Sequence, residues 1–79
     1  MQAVEFRVRP VPSGWLLESS ANLAPLAFRA GGAAERKADG LAQAMTAAGV
    51  DARVVVLDLA GQVAGVRWYR AAEIDMARA

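Results

Sequence analysis

Val4, Phe6 and Val8 alternate with Glu5, Arg7 and Arg9, so the chain opens on a period-two strand with one apolar and one charged face. Pro10 and Pro12 end it, because neither donates a ladder hydrogen bond. Ser13-Gly14 is turn chemistry, and Trp15 to Ser19 reads as the returning strand of a hairpin. On that strand Trp15 and Leu17 share one face, Leu16 and Glu18 the other. Ser20 to Asn22 forms a second turn. Pro25 bars a central strand from the segment that follows, so Leu26 to Phe28 is a short edge strand or an extended lead-in, with Phe28 plugging the core beneath a helix start.

The period then changes. From Gly32 to Gly49 the chain is Ala-rich, free of proline and nearly free of β-branched residues. Ala34, Ala38, Leu41, Met45 and Ala48 recur at helical spacing, the stripe of an amphipathic helix laid on a sheet, while Glu35, Arg36, Lys37, Asp39 and Gln43 fall on the wet side. Small stripe residues let a helix backbone approach a sheet closely, and Gly40 is read as facing inward for the same reason. Gly49 stands where a left-handed C′ residue belongs, with Val50 as the apolar contact of a Schellman stop. The helix start has no side-chain oxygen to cap it, since Gly31 and Gly32 precede it.

After the helix, Arg53 to Leu59 carries Val54, Val55, Val56 and Leu57 in succession, a strand with both faces covered and therefore central. Ala60-Gly61 is the next turn, and Val63 to Arg70 the hairpin partner. There Ala64, Val66 and Trp68 share one face, and Val63, Gly65, Arg67 and Tyr69 the other. Residues 71–79 read as a short helix or a frayed tail. The expected fold is α+β: a two-layer ββαββ sandwich in one domain spanning residues 1–79, with a core from 4 to 70 and one helix on a mainly antiparallel four-stranded sheet.

One helix covers one face of such a sheet. Leu16, Val54, Val56 and Trp68 are then expected on the uncovered face, and an exposed patch of that kind is normally an interface. Self-association is the expected use of it; the alternative is that the C-terminal tail folds back over it through Ile74 and Met76.

This layout resembles a family of short bacterial domains catalogued only as a domain of unknown function. Those domains place a Gly-Trp at the start of the second strand, follow with an Ala-rich helix behind a polar cap, and finish with an Asp-Gly hairpin ending near a Tyr. Gly14-Trp15, the helix from Ala33 to Ala48, Ala60-Gly61 and Trp68-Tyr69 stand in those places, over residues 4 to 70. Gly31-Gly32 replaces the polar cap and Ala60 the turn Asp. The resemblance implies the fold and carries no activity.

Composition narrows the chemistry. The 79 residues contain neither cysteine nor histidine, which removes disulfides, Cys-based metal sites, the usual zinc ligand and the commonest general base. The chain is 56% hydrophobic, too apolar for disorder, yet no apolar run approaches the roughly 20 residues of a membrane span. Charged residues among the first strand's apolar ones speak against a signal peptide, and a cytoplasmic bacterial protein is the default. A net charge of +1 exerts no general pull on nucleic acid or membrane.

Asp58, at the end of the central strand, reads as a turn-capping Asp rather than a catalytic carboxylate. Gly31-Gly32 before a helix could hold an anion on bare N–H groups, but no phosphate-loop motif surrounds them and a helix-entry turn is the simpler reading. Trp15 and Trp68 read as core and interface mass ahead of a ligand platform. Arg7, Arg9, Arg67 and Arg70 with Tyr69 would form a basic strip able to grip nucleic acid if the first and last strands were neighbours. The chain is therefore expected to be a non-catalytic interaction module without cofactor or membrane. Its expected partner is a second copy, with another protein as a further candidate and a small nucleic-acid-binding domain as the alternative reading.

Overall fold

Alternation along the first strand decides which way the sheet faces. In a computed structural model, which describes residues 3–21 and 23–71, Phe6 and Val8 are fully buried and Arg7 between them is exposed. The elements are β1 (Val4–Val11), β2 (Gly14–Ser19), β3 (Leu26–Phe28), α1 (Gly31–Ala47), β4 (Ala52–Leu57) and β5 (Val63–Tyr69). They form one five-stranded sheet in the order β3-β2-β1-β4-β5 with α1 on one side.

The α+β architecture of one helix on a sheet is as expected, but the sheet has five strands in place of four and is mixed, with three antiparallel pairings and one parallel. Leu26–Phe28 is a genuine edge strand paired with β2, and β1 runs parallel to β4. Two antiparallel pairings make β3 codirectional with β1, and a single helix returns the chain to the same end of the sheet. β4 must therefore start in the direction of β3 and β1. β1 also runs through Pro10 to Val11. Pro10 lies past the last β1–β4 pair, Val8 with Val56, so its missing N–H removes no bond to β4.

The helix sits on the sheet through Ala34, Ala38 and Ala42, each fully buried, over Phe6, Val8, Leu17, Ala52 and Val54. Leu41 and Met45 pack partly buried at the flank of this stripe, and Ala48 is exposed as the C-cap. Gly40 faces outward, correcting the inward placement: a Cβ added there meets nothing within 4 Å. Gly31 carries the packing role instead, because its added Cβ would stand 2.9 Å from Cε2 of Trp15, whose ring fills the space under the helix start. The helix ends as its sequence predicts. Gly49 has φ +88°, its N–H donates to the Thr46 carbonyl at 3.0 Å, and the Val50 N–H reaches back to Met45 at 2.9 Å. No side chain caps the N-terminus at Ala30.

The β1–β2 and β4–β5 turns each have a side-chain or backbone reason. At the β1–β2 turn Gly14 has φ +149° and lies against the Phe28 carbonyl, which leaves no room for a side chain. At the β4–β5 turn the Asp58 Oδ1 accepts from the Ala60 and Gln62 N–H groups at 2.9 and 3.0 Å, so Asp58 is a turn cap. The tail residues Ile74 and Met76 lie outside the described residues.

Two substitutions separate the glycines. Gly40→Ala, exposed in mid-helix, raises stability by about 1 kcal/mol in urea unfolding. Gly31→Ala lowers it, because the added methyl displaces the Trp15 ring; equal effects of the two changes would contradict this packing.

Candidate interaction surface

Register assigns every strand residue to a face. On the open side, away from α1, the cross-strand rows run Glu5–Arg53–Trp68 and Glu18–Arg7–Val55–Val66, while Ala27–Leu16–Arg9 and Leu57–Val63 lie further along. On the helix side they run Val4–Ala52–Tyr69, Ser19–Phe6–Val54–Arg67 and Leu26–Leu17–Val8–Val56–Gly65.

This corrects two expectations. Val54 is fully buried beneath the helix and Val56 packs against the same core, so neither lines the open face. Leu16 and Trp68 do lie there, joined by Val55, Leu57 and Val66. Val63 joins them as well, because a register shift between Val56 and Leu57 leaves Ala64 as an extra residue on β5. The basic strip does not assemble. β4 separates β1 from β5, and Arg7 and Arg9 point to the open side while Arg67 and Tyr69 point to the helix side.

The arginines on the open face are matched with carboxylates. Glu5, whose side chain is only 15% exposed, accepts from Arg7 through Oε2 at 2.7 Å and from Arg53 through Oε1 at 2.6 Å. Arg9 pairs diagonally with Glu18 at 2.7 Å. Partial burial works to raise the Glu5 carboxyl's pKa, but the hydrogen bonds from Arg53 and Arg7 outweigh it and hold the group below the ordinary carboxylate value. Arg53 also lies over the Trp68 ring, 5.4 Å from its centroid, as does Arg70 at 5.6 Å. Beside them is an open concavity of about 550 Å³ lined by Glu5, Ser20, Asp51, Arg53, Trp68 and Arg70. The tryptophans sit on opposite faces, Trp15 in the core and Trp68 outside, and make no common platform.

On the helix side a second cluster ties α1 to β5. Arg67 grips Asp39 with Nε at 3.0 Å from Oδ1 and Nη2 at 3.2 Å from Oδ2, with Glu35 3.5 Å away. The Tyr69 hydroxyl donates to Asp39 Oδ1 at 2.6 Å. That hydrogen bond, with partial burial, raises the phenol's pKa above its ordinary value against the opposing influence of Arg67. Asp39, read from the sequence as merely wet, is thus a clamp. Its signal was the pairing of Glu35 and Asp39, four apart on one helix flank, with an Arg-x-Tyr on the last strand.

Among the described residues no group of three or more carboxylates gathers at metal-binding distance. Leu23 and Leu26 at or near β3 and Leu59 in the β4–β5 turn are exposed, Leu59 by 86%, and the other large apolar side chains exposed among the described residues share one strand. Val63, Val66 and Trp68 are 60, 46 and 54% exposed, and all three are on β5.

Two titrations follow. Tyr69 ionises above the free phenol, so its hydrogen bond stabilises the fold below about pH 10 and is lost as pH rises through the folded value. Asp39→Asn returns the ultraviolet phenolate transition toward lower pH. Glu5 contributes above the unfolded carboxyl value of about 4.3, and that contribution disappears as pH falls through its lower folded value. Glu5→Gln therefore flattens part of the acid limb of a stability–pH curve. The chain matches no protein-family model, no curated protein and no solved structure.

Proposed function

We propose that this chain is a non-catalytic interaction module whose partner is a second copy of itself, bound through β5, the strand at the edge of the sheet whose open side is apolar. The observation that carries this reading is the set Val63, Val66 and Trp68, large apolar side chains exposed together on one strand. A small domain without disulfides gains stability by covering such a surface. The surrounding charges suit a copy of the same surface. Glu5 and Glu18 already balance Arg7, Arg9 and Arg53 within one copy, and a net charge of +1 sets up little repulsion between copies.

The nucleic-acid reading has less support. A duplex or single strand is held by cations free to replace condensed counterions. Arg7, Arg9 and Arg53 are paired with Glu5 and Glu18, and Arg67 is paired with Asp39; of the arginines expected in the strip, Arg70 alone has no carboxylate partner among the described residues.

Sedimentation at micromolar concentration reports twice the 8.3 kDa chain mass if this reading is right. Val66→Lys then yields a folded monomer. A chain that stays monomeric at hundreds of micromolar removes the reading, and salt-sensitive retention on an oligonucleotide column would favour the alternative.

A further inference from the structure

We propose that two copies join edge to edge through β5, antiparallel about Val66, to make one continuous sheet with five strands from each copy. The inference rests on the self-association reading and specifies its geometry.

The two edges of the sheet are unlike. β3 has three residues and follows Pro25, which blunts it as a pairing template. β5 has seven residues, with no proline and no acidic or lysine side chain. Its one charge, Arg67, is turned to the helix side and held by Asp39 and Glu35. The extra residue at Ala64 disturbs only the start of the strand, leaving Gly65 to Tyr69 in regular register with β4. An edge of this length and composition offers a row of unpaired N–H and C=O groups to another strand.

Charge sets the direction. Asp58 stands at the turn that precedes β5 and Arg70 immediately follows it, so the strand is acidic at one end, apolar along its open face and basic at the other. Neither residue has an ion-pair partner among the described residues. Asp58 uses only Oδ1 to cap its turn. Pairing two β5 strands antiparallel about Val66 brings Arg70 of each copy beside the Asp58–Gln62 turn of the other, twice by symmetry. A parallel pairing would place like charges together. The same arrangement sets the Val66 side chains side by side and each Trp68 near the Val63–Ala64 segment across the seam. Stacking the two open faces instead would bury the Glu5–Arg7–Arg53 and Arg9–Glu18 pairs, a desolvation that edge pairing avoids.

The test combines sedimentation equilibrium with amide hydrogen exchange on the full chain. Edge pairing predicts that alternate amides of β5 are protected in concentrated samples and exchange faster on dilution. Arg70→Glu weakens the dimer about ten-fold, because each of the two contacts becomes repulsive. Asp58→Asn keeps the turn-capping oxygen while removing the charge. It should therefore weaken the parent dimer yet strengthen the Arg70→Glu dimer, a reversal of sign that a merely local effect on the turn would not produce. A dimer whose β5 amides ignore dilution, or in which Asp58→Asn acts alike in both backgrounds, overturns edge pairing and leaves self-association standing. A monomer at every concentration overturns both.

Discussion

Everything in this fold is spaced from one contact, the alanine stripe of the helix laid on the two central strands. Ala34, Ala38 and Ala42 are small enough for the helix backbone to settle close over Phe6, Val8 and Val54, and all six are fully buried. A larger stripe would lift the helix, and the flanking residues Leu41, Met45, Trp15 and Phe28 would no longer close the sides of the core. The close approach also explains the glycine at the helix start. Trp15 has nowhere to lie except against Gly31. At the other flank, Asp39 reaches over to Arg67 and Tyr69 and holds the outermost strand under the helix.

The second face of the sheet is treated differently. No second layer covers it among the described residues, and charge substitutes for cover over its middle. Glu5 sits between two guanidinium groups, one on its own strand and one across the parallel pair, while Arg9 and Glu18 form a diagonal bridge to β2. Exposed bridges of this kind are individually worth about 0–1 kcal/mol, so they do little to hold the fold together. Their effect is to make most of the face unattractive to chance partners. The protection thins toward β5, where Val63, Val66 and Trp68 replace the charges. The gradient from charged to apolar across one sheet face gives the surface a direction.

How far the sequence foretells this depends on whether the relevant contact is local. The alternation of β1 assigns Phe6 and Val8 to the core without ambiguity, and the Gly49–Val50 stop and the Asp58 turn are legible because each involves neighbours in the chain. The four apolar residues from Val54 to Leu57 are a different matter. A strand apolar on both faces carries no periodicity to say which set meets the helix, and the set assigned to the open side is the one that meets it. The extra residue at Ala64 moves Val63 across the sheet, something no alternation rule foresees. Separation of Arg7 and Arg9 from Arg67 follows from strand order, which is set by packing of distant segments and leaves no mark on composition. The short strand β3 was legible only as one of two readings because Pro25 permits both.

The parallel pairing of β1 with β4 has a consequence for the order of events in folding. The β1–β2 and β4–β5 hairpins close over short turns, as does the helix, and such local structure forms in microseconds. Joining Glu5 to Arg53 instead closes a loop of 48 residues, and the core beneath the helix does not exist until that loop is shut. Contact order therefore predicts that the slow step of folding is the meeting of two hairpins, with the helix as the tether between them. On a ribosome the first hairpin emerges with Phe6 and Val8 facing water, and its partner strand arrives only after β3 and the whole helix have followed.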